Sequence, residues 1–406
     1  MKTEIKSLLI FSALLFCICH SYAQDTWTKK ADFGGLARYG AVGFSIGGDG
    51  YIGTGYSDST ALNDFWSYDP DSNTWVQKSA FPGTPRGLAA GFSIGNKGYI
   101  TTGINFQPAG TDFWRYNPDS NIWTKKADFG GAARYGAVGF SVGGNGYVAL
   151  GKKAGPGCFD DVWEYDQANN KWTQKANFPG GARYGAACFV IGNKAYVGTG
   201  IDSAGFYHND LWEYNPSTDK WTKKSDFDTI NRYDAIGFSI KSYGYIGLGF
   251  PGTGHKSLYD LWQYDTASDQ WTQMTNVDTS FNGGVSVSFS LGEYGYVGTG
   301  ISLSVPQNLS KSLWQYQDHT SGIKEPSNQV IFSIFPNPNT GNFVLSSSYP
   351  VQSYTICDMS GKEIYRNEVN QAGNDINVDL NLAKGMYLIR VVSSEGTAVK
   401  KFLVGE

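Results

Sequence analysis

Residues 65–78 read FWSYDPDSNTWVQK, two short aromatic runs joined by a turn. The turn carries its own chemistry: Asp and Asn side chains bond back to the main chain, and proline presets φ. The pattern returns as FWRYNPDSNIWTKK at 113–126, VWEYDQANNKWTQK at 162–175, LWEYNPSTDKWTKK at 211–224 and LWQYDTASDQWTQM at 261–274. A period this regular marks a repeat architecture, so the repeat is read before any single segment.

Working outward, the second tryptophan belongs to a series at Trp27, Trp75, Trp123, Trp172, Trp221 and Trp271. The first belongs to Trp66, Trp114, Trp163, Trp212, Trp262 and Trp314. Together they account for all 12 tryptophans. A third marker, Gly-Tyr-Ile/Val-x-x-Gly, falls at Tyr51, Tyr99, Tyr147, Tyr245 and Tyr296, with Ala195 replacing the glycine before Tyr196. In the first period the apolar runs are 39–46, 50–55, 65–69 and 74–78, separated by glycine-rich or Asx turns. Four antiparallel strands in about 48 residues make one propeller blade.

The ends of the array complement each other. Trp27 opens a fourth strand with no strands 1 to 3 before it, and Leu313-Trp314-Gln315-Tyr316 is a third strand with no fourth after it. The N-terminal strand is therefore expected to complete the sixth blade and close the ring, removing two open sheet edges. The order of arginine before strand 1, glycines closing strand 2, an aromatic in strand 3 and tryptophan opening strand 4 resembles the kelch repeat. Gly53-Thr54-Gly55 stands where that repeat has a glycine doublet.

Residues 321–328 read as a linker and 329–406 as a small Ig-like β-sandwich. Its Pro336-Asn337-Pro338, Asp358-Met359-Ser360-Gly361-Lys362 and Gly385-Met386-Tyr387-Leu388-Ile389-Arg390 elements resemble the type A sorting domain of the type IX secretion system of Bacteroidetes-like bacteria. That resemblance implies handling by the type IX machinery, then cleavage, with release or anchoring at the outer-membrane surface. At the other end, Lys2, Lys6 and the apolar run 8–18 before Ser21-Tyr22-Ala23 read as a signal peptide over residues 1–23. The propeller then spans 24–320. Cys17 and Cys19 lack the small preceding residue of a lipobox, and no other run is long and apolar enough for a transmembrane helix. The fold expected is all-β, a six-bladed kelch-like propeller followed by the Ig-like domain.

The net charge of -4 and the lack of a basic run argue against nucleic acid. Three cysteines beyond residue 23 are odd in number, and Cys158 and Cys188 are read as unpaired. No nucleophile elbow, phosphate loop or converging metal-ligand set is found, so neither cofactor nor metal is expected and catalysis is not indicated. His208 and His255 lie in neighbouring strand 2–3 loops.

Strands 1 and 3 run in the same direction, which puts the 4–1 and 2–3 loops on one face. The 2–3 loops vary from blade to blade while the opposite turns do not, and variation on one rim of a rigid scaffold is how binding faces are built. The function expected is a secreted or surface-displayed binding or adhesion module contacting a glycan or protein there. The alternative is a carbohydrate-active enzyme, since some kelch-like six-bladed propellers act on sialic acids, for example as an isomerase. Candidate ligand contacts are Tyr56, Phe106, Tyr207, His208 and His255. The recurrent Arg38, Arg86, Arg134, Arg183 and Arg232 form either a cationic ring or a set of structural pairs with Asp64, Asp112, Asp161, Asp210 and Asp260. Counting from the tryptophans, the sixth repeat has Asn282 and Ser312 instead.

Overall fold

The computed structural model describes residues 25–105, 109–227, 230–252, 257–281, 283–302, 308–318, 332–358, 362–393 and 396–405. The chain divides into two compact units, Met1–His319 and Thr320–Glu406. All named elements are β-strands.

The first unit is a ring of six four-stranded antiparallel sheets. Blade 1 runs Val42–Ile46, Asp49–Gly53, Phe65–Asp69 and Thr74–Lys78, in that spatial order. Period-2 alternation sets each strand 1: Val42, Phe44 and Ile46 are buried, while Gly43 and Ser45 line the axial channel. Strand 2 is buried on both faces, being sandwiched between blades. The glycine of the Gly-Tyr marker has a steric reason. A Cβ on Gly98 would come within 2.5 Å of the Phe44 ring, and one on Gly50 within 2.2 Å of Phe289. At five of the six junctions strand 1 thus lays a phenyl ring on a bare glycine of the next blade, Ala195 standing in its place at the junction of blades 3 and 4. Truncating such a ring costs about 3–5 kcal/mol.

The strand-4 tryptophans tie neighbours together. Trp75 Nε1 donates to the carbonyl of Ala31 (3.1 Å) and Trp123 Nε1 to that of Ser79 (2.9 Å), each at the exit of the preceding blade. The turn residue two positions earlier does the same job. Asn73 Oδ1 accepts from Ala31 N (2.9 Å) and from the Tyr68 hydroxyl (2.8 Å).

Ring closure follows this rule. Thr26–Lys29 pairs antiparallel with Leu313–Gln317, matching Trp27 to Tyr316. Trp27 Nε1 donates to Thr275 O (2.8 Å), and Asp25 takes the part played by Asn73 elsewhere, accepting from Thr275 N and the Tyr316 hydroxyl.

The second unit has five strands. Asn342–Cys357 pairs with Phe332–Phe335, Glu363–Asp379 and Gly385–Ser393, and the last pairs with Gly396–Val404. It has its own core, including Phe343, Leu345, Ile356, Ile389, Val391 and Phe402. Cys158, Cys188 and Cys357 are free. Among the described residues no helix is long and apolar enough to cross a membrane.

Candidate functional site

The loops after strand 4 and after strand 2 meet on one face of the ring. Arg86 N donates to the carbonyl of Leu62, and the Asn231 side-chain amide donates to that of Tyr207 (3.0 Å). Short ladders such as Arg134–Tyr135 with Lys152–Lys153 add a second tier of sheet above each blade. Six main-chain bonds then link each blade to the next. Gly55, Gly103, Gly151, Gly200, Gly249 and Gly300 donate to the carbonyls of Arg86, Arg134, Arg183, Arg232, Gly283 and Arg38.

The repeated arginines lie beneath this tier and are at most 2% exposed. Arg38 grips Asp64 with both ends of its guanidinium (2.6 and 2.7 Å), donates to the carbonyls of Thr54 and Leu36, and stacks 4.6 Å from the Phe33 ring centroid. Arg86–Asp112, Arg134–Asp161, Arg183–Asp210 and Arg232–Asp260 repeat the pair. Bidentate geometry of this kind suits arginine. Burial alone would raise the Asp64 and Asp161 carboxyls, but hydrogen bonds and charge from Arg38 and Arg134, helped by the Trp66 and Trp163 indoles, hold them below the usual range. The five cations are therefore neutralised in place.

The sixth blade corrects the spacing read from the sequence. Fifteen residues separate Trp27 from Val42 at the start of strand 1, but sixteen separate Trp271 from Val287. Gly249 N donates its inter-blade bond to the carbonyl of Gly283, so Gly283, rather than Asn282, holds the arginine position. Ser312 replaces the aspartate, and Trp314 Nε1, shut off from solvent, is left without a partner among the described residues.

At the axis the loops build a collar. Gly40, Leu88, Gly136, Gly185, Asp234 and Val285 stand two residues ahead of each strand 1, and all take φ between 50° and 62°. Leu88 N donates to Gly40 O (2.7 Å), Gly136 N to Leu88 O (2.9 Å), Gly185 N to Gly136 O (3.0 Å), Asp234 N to Gly185 O (2.8 Å) and Gly40 N to Val285 O (3.0 Å). The sixth step, Val285 to Asp234, is not made. These residues rim a mouth of about 120 Å³ that continues into the channel past Ala41, Ala89, Ala137, Ala186 and Ala235. A left-handed backbone is ordinary for glycine, tolerated by aspartate and strained for leucine and valine.

Asp234 is the collar's one carboxylate. It is half-buried, faces the mouth, and has neither an ion pair nor a side-chain hydrogen bond among the described residues. Close packing pushes its carboxyl up to about 7. Tyr184 and Tyr233 flank it. Burial, with the Asp234 charge next, raises both phenols, that of Tyr233 to about 12.

Family profiles match both units. "Kelch motif" covers residues 44–82, "KLHDC2/KLHL20/DRC7 Kelch-repeats domain" residues 131–300, and "Secretion system C-terminal sorting domain" residues 333–405. The chain is a kelch-repeat β-propeller with a C-terminal sorting domain. A solved structure described as "Structure of YjhT" resembles this kelch propeller with a TM-score of 0.60 and 16% identity, covering 71% of this chain and 99% of that one. At that identity the likeness speaks for the fold alone. No curated protein matches. The sorting domain indicates secretion.

On the kelch propeller, the predicted contacts divide. Tyr56 is buried, its ring lying on Gly87, where a Cβ would come within 2.2 Å, and its hydroxyl donating to the Ile104 carbonyl. It fills the junction between blades 1 and 2. Tyr207 is half-buried with its ring 5.4 Å from that of Tyr233, and His208 Nε2 lies 3.4 Å from Asp202. Phe106 and His255 lie outside the described residues. Among those described, no three His, Cys, Asp or Glu side chains converge as metal ligands. The sequence reading missed Asp234 and its tyrosines. The available signal was Arg-Tyr-Gly-Ala at 38–41, 134–137 and 183–186, broken by aspartate at 232–235.

Proposed function

We propose that the protein is a secreted binding module that contacts a glycan or a protein through the 4–1 and 2–3 loop face. One observation carries this reading: large apolar side chains stand exposed in the loops of that face, Leu36 (60% exposed) between blades 6 and 1 and a pair between blades 4 and 5. Phe206 is 68% exposed and Ile230 53% exposed, in adjacent loops of blades 4 and 5 joined by the Asn231–Tyr207 bond. Asp234 opens at the mouth beside them. Large exposed apolar groups next to polar ones are a common mark of an interaction surface. The sorting domain supports delivery through the type IX machinery, with cleavage and release or anchoring at the cell surface. A signal peptide over 1–23 completes that route.

Screening the full chain on glycan and surface-protein arrays tests the reading. Phe206→Ala with Ile230→Ala is expected to abolish the hits, while Val76→Ala with Ile122→Ala, on outer strands, leaves them intact. Hits that survive the loop changes would overturn it.

A propeller-type carbohydrate-active enzyme is the second reading. Asp234 favours it, because a carboxyl titrating near neutrality at a channel mouth suits proton exchange. Against it, each of the five arginines is committed to an aspartate. Turnover of sialic acids, followed by NMR and lost in Asp234→Asn, would establish the enzyme.

A further inference from the structure

The face that blade 3 turns toward blade 4 carries a closed polar network. Glu164, midway along strand 3, accepts from the Tyr147 hydroxyl (2.8 Å) and the Asn145 amide (2.6 Å), and Lys175 Nζ lies 3.3 Å from its other oxygen. The ladder brings them together. Tyr147 and Thr173 flank Glu164, and Lys175 stands two residues beyond Thr173 on the same face. Blade 2 has the same register, with Tyr99 and Thr124 flanking Arg115 and Lys126 two residues beyond Thr124. Here, however, arginine stands where blade 3 has its glutamate. The other blades have Ser67, Glu164, Glu213, Gln263 and Gln315 at this position, so blade 2 alone sets a cation against the cation of strand 4.

The exchange leaves charge and donors unanswered. Arg115 is half-buried, its Nε is shut off from solvent, and it makes no hydrogen bond or ion pair among the described residues. A guanidinium carries five N–H donors, and the five arginines beneath the loops each spend theirs on an aspartate. The Lys126 ammonium also lacks an ion pair among the described residues. Burial first, and the Arg115 charge second, hold it below its usual pKa. The neighbours are already committed. Lys97, in the place of Asn145, donates to Asn117 (2.9 Å) and Asp119 (3.2 Å), and the Tyr99 hydroxyl donates across the junction to Gln167 (3.2 Å).

We propose that Arg115 and Lys126, at the junction of blades 2 and 3, bind an oxyanion, the carboxylate or sulfate group of a ligand, which takes the place that Glu164 fills in the next blade. A guanidinium matches two oxygens of such a group at once, and the ammonium adds a compact point charge beside it. The anion also relieves the repulsion between the two cations, which favours binding to the folded chain. The site is built from strands 3 and 4 rather than from the loops, so it does not depend on what the loop face binds.

The test is an NMR titration of the isotope-labelled full chain. The arginine Nε–H signals and the Thr124 amide are followed, with sodium acetate and sodium sulfate as probes and sodium chloride at equal ionic strength as the reference. Acetate or sulfate is expected to shift the Arg115 signal saturably, while chloride does not. Arg115→Gln and Lys126→Gln, read from the Thr124 amide, should each weaken binding at least tenfold. Arg115→Glu, which restores the pairing of blade 3, should abolish it. Lys175→Gln, which removes a lysine that already has its glutamate, should leave it unchanged. Tighter binding of acetate would assign the site to carboxylates, and tighter binding of sulfate to sulfate esters. Shifts no larger than those with chloride, or an affinity unchanged in both glutamine variants, would overturn the proposal.

Discussion

The Asp234 carboxylate rests on the bare α-carbon of Gly185, where an added Cβ would come within 2.6 Å of Oδ1. The side chain is thus pressed onto the neighbouring blade with no donor facing it among the described residues. Its carboxyl titrates near 7 in the fold and near 3.8 in the unfolded chain. Between those values the native state holds a proton that the unfolded state has lost, so stability falls as pH rises from about 4 to 7 and is flat above. Asp234→Asn is expected to raise the melting temperature at pH 8 and to leave it nearly unchanged at pH 4. Equal melting temperatures at both pH values would show that the carboxylate is not penalised.

The buried pairs respond with the opposite sign. Asp64 and Asp161 are held below the usual carboxylate range, so the stability they lend is present above about pH 4 and lost as pH falls through their native pKa values. A double-mutant cycle on Arg134→Ala and Asp161→Ala, scored by denaturant unfolding, should return a coupling of roughly 0.5–3 kcal/mol at pH 7. Arg134→Ala alone, stranding a carboxylate, should cost about 3–5 kcal/mol. A coupling near zero would return the arginines to the list of ligand contacts.

The sixth blade offers an internal control. Trp163 Nε1 donates to Asp161 (2.8 Å), whereas Trp314 Nε1 has no partner among the described residues because Ser312 stands where the aspartate would be. Phenylalanine removes the same volume at both sites but a hydrogen bond at only one. Trp163→Phe should therefore cost about 1 kcal/mol more than Trp314→Phe in chemical unfolding.

Much of this fold is legible because repetition amplifies weak signals. One Asp-Pro-Asp-Ser-Asn turn is a local hint, whereas its recurrence fixes strand count, blade count and the closing role of Thr26–Lys29. The partners of the arginines are legible too, since Arg and Asp vanish from the same repeat. The register of the sixth blade is not. A single extra residue before Val287 moves the arginine position from Asn282 to Gly283, and only main-chain bonding reveals it. Asp234 hides for a related reason. Its significance lies in a left-handed backbone and in a missing bond to Val285, neither of which has a letter in the sequence. Tyr56 misled because a tyrosine in a variable loop reads as a contact, while the glycine it covers, Gly87, is 31 positions away.

Closure itself is open to a direct check. Asp25 accepts from both the main-chain N–H (2.6 Å) and the hydroxyl (2.9 Å) of Thr275. Asp25→Ala is expected to cost about 1–3 kcal/mol, by leaving those donors and the Tyr316 hydroxyl unmet. Deleting residues 24–31 should lower the unfolding midpoint much further. An unchanged midpoint after the deletion would mean that the ring does not depend on this strand.

Because Asp25 and Tyr316 are 291 residues apart in the chain, the closing contact is also among the slowest to find. The first strand to leave the ribosome is among the last to be seated. Until residue 317 is available, five blades can form only an open arc, with an apolar sheet face bare at each end and Trp27 without its cover. Such an intermediate has two ready partners, its own opposite end and the end of another copy, and the second route leads to swapped or aggregated rings. Folding yield should therefore fall with protein concentration even where the finished ring is stable, and delaying collapse until the whole array has emerged would protect it.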